Sequence, residues 1–430
     1  MFEVQSEVFG VIESNPMPFH KLLPTLFATV FLISCASAPP LADPNIESHK
    51  PAIIFIPGFY GTALADAQTQ DRVFITASTF LFSSQPLGLD LPELALPHTK
   101  HLRPDGILES VSIVPLLYTL DIYASILTNL RETFGATSQI HALAYDWRQD
   151  NLEAVHALSH LITELKNKGA PSVALIAHSM GGLIATYYLR YGDQDLDHAQ
   201  ETWEGANQVK AVIIGGTPFG GTVTAFRNLQ LGTAVGLSEQ PLNALNLASF
   251  PSMYQLMSAP ELGSIVTKDL VPAGENIFDP TLWRKYGWGN VGTEKDTSRP
   301  VRESRLYYRD RQLKRAREFL RLIRAPGLKP VTRSSALIFA GQGRTTLAKA
   351  IWDANNFEQN AKWIFENKEM GNVFYGDGDG TVTLASAQPP EALGARFRMK
   401  VVLTAAKHTA VFSDEGVQKE LKAYLKEAGF

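Results

Sequence analysis

The feature that most constrains this chain is a set of short, uninterrupted apolar runs, each of which stops at small or polar residues. Ile53-Ile54-Phe55-Ile56 halts at Pro57-Gly58. Comparable runs recur at 174–177, 211–214, 336–340 and 400–403. A strand with one solvated face alternates in polarity, whereas a continuous apolar run of this length fits a parallel strand covered on both faces. Between the first runs the spacing turns helical. Leu152, Val155, Leu158, Leu161, Ile162 and Leu165 share one helix face, Asp150 stands as an N-cap with Glu153 three residues on, and Gly169 closes the end. Strands alternating with helices predict an α/β chain with a mostly parallel, doubly wound sheet. In such sheets the chemistry lies beyond the carboxyl ends of the strands.

The alternation breaks at residues 222–333, which are rich in Pro, aromatics and charge and carry no comparable strand run. They are read as a cap inserted between two parts of one core, 51–221 and 334–430. Within the cap, 303–324 is basic and amphipathic, which fits either contact with an anionic lipid surface or a solvated helix face. Residues 83–97, apolar and Pro-containing, fit either a mobile lid or a packed loop. A length of 430 residues allows this plan. With a net charge of −4 there is no electrostatic start for nucleic-acid binding.

Ala177-His178-Ser179-Met180-Gly181-Gly182 lies between an apolar run and a helical one. Small residues flank a serine in this way where a strained strand-to-helix turn brings neighbouring backbones close, as in the G-x-S-x-G nucleophile elbow, here with Ala for the first Gly. A serine nucleophile needs a base, and on this architecture the base follows both the serine and the acid in the chain. Of the ten histidines only His198 and His408 follow Ser179. His198 comes too early for an acid to precede it from a later strand, which leaves His408. The Gly-rich turn Gly376-Asp377-Gly378-Asp379-Gly380 supplies the acid, Asp379 first and Asp377 in reserve. It lacks the other ligands of a calcium loop, so no metal is expected. Phe59, in the turn after the first run, and Met180, after the serine, are the expected backbone donors to an oxyanion. The loop 215–222 is Gly-rich without a Gly-Lys-Ser/Thr sequence, so it reads as pocket lining rather than a phosphate loop.

Taken in order, FIPGFYGT (55–62), YDWR (145–148), AHSMGG (177–182), GGTPFGG (215–221), DGDGTV (377–382) and KHTAVF (407–412) resemble the lecithin:cholesterol acyltransferase family of α/β-hydrolases and its bacterial lipase relatives. The resemblance covers roughly 51–430 and only loosely the cap. It implies Ser179, Asp379 and His408 as a triad and Phe59 and Met180 as oxyanion donors, and it places YDWR near the pocket, in a structural role first. The activity it implies is hydrolysis of a lipid or lipid-like ester, with acyl transfer to an alcohol as the close rival and a non-catalytic binding protein as the remote one. No cofactor is implied, and nothing in the sequence sets an oligomeric state. The family's cysteine pairs are missing.

The single cysteine, Cys35, follows a 12-residue apolar run, 22–33, that is too short to span a bilayer and matches the h-region of a signal peptide. Leu32-Ile33-Ser34-Cys35 resembles a lipobox, so residues 1–35 are read as a lipoprotein signal, Cys35 as a lipidated membrane anchor and 36–50 as a linker. Export follows as the expectation, to the envelope of a bacterium as a periplasm-facing or outer-membrane lipoprotein, or into the medium. The residues before Met17 fit no n-region, which points to a start at Met17. A cleavage near Ala36-Ser37-Ala38 or a buried helix are the plainer readings.

Overall fold

The computed structural model describes residues 49–76, 85–114, 118–234, 240–267, 269–274, 276–289, 298–327, 334–352, 363–364 and 371–430. The signal, the lipobox cysteine Cys35 and nearly all of the linker expected at 36–50 lie outside them. At its centre is a sheet of six strands, β1 (Ala52–Ile56), β2 (Gln139–Ala142), β3 (Val173–His178), β4 (Ala211–Gly215), β5 (Ser334–Gly341) and β6 (Phe397–Thr404), in the order β6-β5-β4-β3-β1-β2. Every neighbouring pair is parallel. The five apolar runs are β1, β3, β4, β5 and β6. The sequence gives no run for β2, an edge strand whose four residues are all half-buried.

Burial on both faces explains the runs of β1, β3, β4 and β5; β6 departs from that expectation, because this second edge strand leaves Val401 43% and Leu403 47% exposed. Successive residues of a strand point to opposite sides, and they enter two separate cores. Ile54, Ile56, Leu175, Val212, Ile214 and Ile338 pack with Leu152, Val155 and Leu158 of the Asn151–Asn167 helix and with Leu183 and Ile184 of the Met180–Tyr191 helix. Ile53, Phe55, Ile176, Ile213, Leu337 and Phe339 pack with Ile126, Leu127 and Leu130 of the Ala124–Phe134 helix and with Val417, Leu421 and Leu425 of the Glu415–Glu427 helix. The Asn151–Asn167 helix begins as its cap requires, with the Asp150 carboxylate accepting from the Leu152 N–H. The direction of winding reverses between β1 and β3, and a crevice opens beyond their carboxyl ends.

Between β4 and β5 the described chain is mainly short helices and the long Arg299–Arg324 helix. That helix, Arg299–Arg324, carries the basic stretch. One face is packed, burying Arg305, Tyr308, Arg309, Leu313, Phe319 and Ile323. Tyr307, Arg311, Lys314, Arg317 and Arg321 stay on the outer face, which fits either reading, while the buried arginines depart from both. Over 85–97 the structure fits the packed-loop reading of 83–97. Leu87, Leu89 and Leu94 are buried, and the loop backbone is held by Ser249 Oγ on Leu89 N–H, by Arg148 on the Leu87 carbonyl and by Arg305 on the Leu94 carbonyl. Apolar loop residues signal packing as readily as motion. No described helix is long and apolar enough to cross a membrane.

Candidate active site

Ser179 stands where β3 turns into the Met180–Tyr191 helix, with φ 53° and ψ −124°. Such a backbone is strained for a residue with a Cβ and persists only where its surroundings hold it. Here the Ser179 N–H donates to the Gly215 carbonyl and its own carbonyl accepts from Thr217 Oγ1 at 2.9 Å. The small residues of the motif are required by contact. A Cβ on Gly181 would lie 2.5 Å from the Ile56 carbonyl oxygen, and one on Gly58 would lie 2.8 Å from the Ser179 Cβ.

His408 follows β6 and reaches back over the sheet. Its Nε2 is 2.9 Å from Ser179 Oγ and its Nδ1 is 2.8 Å from Asp379 Oδ2. Because a carboxylate only accepts, Nδ1 carries the hydrogen and Nε2 is left as acceptor for the serine hydroxyl. Asp379 is buried, and its other oxygen accepts from the N–H groups of Thr381 at 2.9 Å and Val382 at 2.7 Å. Burial works to raise its carboxyl, but the charge and hydrogen bond of His408 and those two N–H groups outweigh it and hold the carboxyl below the usual range. The His408 N–H donates to the Asp379 carbonyl as well. Asp377, the reserve, accepts from the Gly343 N–H instead, on an antiparallel pair of Arg344–Leu347 with Tyr375–Gly378 that presents the acid.

Met180 is the first residue of its helix, so its N–H has no intrahelical acceptor. Phe59 sits in a turn closed by the Gly61 N–H on the Gly58 carbonyl. In a trans peptide the N–H points opposite to the C=O, so that bond turns the Phe59 N–H the other way. The YDWR segment braces this turn, with Tyr145 Oη donating to the Pro57 carbonyl at 2.7 Å, Trp147 Nε1 to the Thr62 carbonyl at 3.0 Å, and the Phe59 ring against Trp147. The crevice at Ser179 and His408 is lined by apolar Phe59, Ile122, Met253, Leu256 and Val382, by polar Thr222, Thr224 and Asn228, by Pro218 of the Gly-rich loop, and by Tyr123 and His178. Two further groups against the site escape the sequence pattern. His178 is only one letter of the elbow motif, and Tyr123 belongs to no motif at all.

The comparisons agree with this architecture. The family model of lecithin:cholesterol acyltransferase matches residues 90–298. That stretch contains the elbow; the turn at 57–62, Asp379 and His408 lie outside it. An uncharacterized protein of Saccharomyces cerevisiae is 30% identical over 153 residues, 34% of this chain and 21% of its own length. Lecithin-cholesterol acyltransferase-like 1 of Arabidopsis thaliana is 24% identical over 261 residues, 60% of this chain and 51% of its own. The chain thus spans about half the length of one of these curated relatives and about a fifth of the other. Among solved structures, a chain of the Tle4–Tli4 complex superposes with a TM-score of 0.53 at 14% identity, covering 89% of this chain and 99% of that one. That is a likeness of fold. The chain has the α/β-hydrolase fold and is similar to the lecithin:cholesterol acyltransferase family.

Proposed function

We propose that this chain is a serine acyl hydrolase that cleaves carboxylic esters of lipids through an acyl-enzyme on Ser179. The observation that carries the proposal is the aligned hydrogen-bonded series Ser179–His408–Asp379 at the floor of a mainly apolar crevice. Ser179 Oγ attacks the ester carbonyl carbon as its proton passes to His408 Nε2, and Asp379 steadies the imidazolium through Nδ1. The N–H groups of Phe59 and Met180 receive the developing oxyanion. Collapse expels the alcohol, which takes the proton from His408. Water, deprotonated by the same nitrogen, then releases the acid and frees the serine.

The test compares wild type with Ser179→Ala on p-nitrophenyl esters of short and long chain and on phospholipid vesicles. Turnover lost in the variant supports the nucleophile. Equal inactivity of two folded proteins on every ester refutes hydrolysis. The match to an acyltransferase family favours one second reading, in which an alcohol replaces water in the second half-reaction. Ester product formed on adding long-chain or sterol alcohols, at the expense of free acid, identifies it. We further propose that the chain is exported and anchored by a lipid on Cys35, on the strength of the apolar run 22–33 and the residues 32–35 that follow it. Labelling with a palmitate analogue, lost in Cys35→Ser, tests that.

A further inference from the structure

Beside the elbow, on the lining of the same crevice, lies a second hydrogen-bonded series that the proposed reaction does not use. His178 is buried, with Nε2 3.0 Å from the His408 carbonyl and Nδ1 2.8 Å from Tyr123 Oη; Tyr123 Oη in turn is 3.0 Å from the Gly58 nitrogen. Only one arrangement of hydrogens satisfies it. A carbonyl accepts only, so His178 Nε2 carries the hydrogen; the neutral ring then accepts at Nδ1, so the Tyr123 hydroxyl donates there and its oxygen accepts from the Gly58 N–H. Burial and the neighbouring His408 lower His178 to about 3, which keeps it neutral, and burial keeps the Tyr123 phenol protonated.

The two ends of this series are the two halves of the site. At one end it holds the carbonyl of His408, whose N–H is already held by Asp379. At the other it holds the N–H of Gly58, whose carbonyl is already held by Gly61 and whose peptide bears the Phe59 N–H. We infer that Tyr123 and His178 are positioning residues that fix the base and the oxyanion turn in one register, so that nucleophile activation and oxyanion stabilisation fall together when either is altered. The inference rests on the hydrolase reading above.

Tyr123→Phe and His178→Gln test it, alone and combined, by kcat and KM on a p-nitrophenyl ester, by the rate at which a fluorophosphonate labels Ser179, and by titration of active sites. Tyr123→Phe removes the middle link and little else. His178→Gln retains a donor toward His408 but no longer offers an acceptor at the Nδ1 position that Tyr123 meets. The expected result is a fall in kcat and in labelling rate of roughly 10- to 100-fold in each, below the 10²–10³ of losing a whole oxyanion donor, with KM and the titre unchanged. The double variant falls no further than the worse single one, as for groups that act as a unit. A single variant with wild-type rates, or a double loss equal to the product of the single losses, overturns the inference, as does a loss confined to KM or titre. If one variant does not fold, the other decides on the same rates. A wild type that the fluorophosphonate never labels sinks the hydrolase reading itself, and this inference with it.

Discussion

His178 makes the stability of the fold depend on pH in a calculable way. Burial and His408 hold its folded value at about 3, against an ordinary 6.5. Between those values the unfolded chain binds a proton at this residue and the native chain does not, so the contribution is present above pH 6.5 and is lost as pH falls toward 3. Each unit of pH in that window is worth about 1.4 kcal/mol. Lowering pH from 7 to 5 therefore costs the native state about 2 kcal/mol through His178 alone. The groups that face it are Tyr123, which stays protonated, and His408 with Asp379 behind it. Asp379 is itself held low and also loses stability in acid, but it does so in wild type and variant alike. Urea unfolding at pH 7, 6 and 5, followed by tryptophan fluorescence, isolates the effect by comparing wild type with His178→Gln. The wild type should lose about 2 kcal/mol more than the variant, seen as a larger fall in midpoint at constant slope. Midpoints that fall in parallel would refute the reasoning, because the histidine would then take its proton in the native state.

Three more outcomes follow from contacts already described. Asp379→Asn should fold, since its remaining oxygen can still accept from Thr381 and Val382, but kcat should fall roughly 10⁴-fold because the imidazole loses the partner that sets its tautomer; steady-state kinetics with KM unchanged would bear this out. Gly181→Ala drives a Cβ against the carbonyls of Ile56 and Pro57, at 2.5 and 2.6 Å, and backbone cannot swing aside, so stability should fall by about 3 kcal/mol, the upper end for overpacking, measured by denaturant midpoint. Arg190 is buried, donating to the carbonyls of Leu322 and Ile323 and to buried Glu201. Arg190→Met should cost about 3–5 kcal/mol, and adding Glu201→Gln should recover part of it by removing the carboxylate charge that Arg190 balances, again read from denaturant midpoints.

What was legible in the sequence has a common physical origin. Strands β1, β3, β4 and β5 declare themselves because burial on both faces leaves no room for alternation, and the Asn151–Asn167 helix does so because its cap and its apolar stripe are local. The site was legible through chain order, which left His408 as base, and through a Gly-rich turn that named Asp379 with Asp377 behind it. The structure joins the first aspartate to His408 and gives the second to Gly343. What was not legible is tertiary. Gln139–Ala142 becomes a strand by lying along the exposed side of β1, not by its own pattern. Arg305 and Arg309 look like surface charge in a basic stretch, yet carbonyls of Leu94, Ala95 and Trp288 await them inside. The Tyr123–His178 series joins residues 55 positions apart that share no motif.

The sheet order has a consequence for how this molecule comes into being. The turn bearing Phe59 and the elbow bearing Ser179 follow adjacent strands made early in synthesis, whereas the carboxylate and the imidazole arrive with the strand pair before β6 and the loop after it. A nascent chain can therefore hold the elbow and the oxyanion turn while still lacking the base that takes the serine's proton. Parallel strands paired over such sequence distances also form slowly. The reactive hydroxyl is thus born inert, and it is armed only when β6 and the Glu415–Glu427 helix, which completes one of the two cores, fall into place.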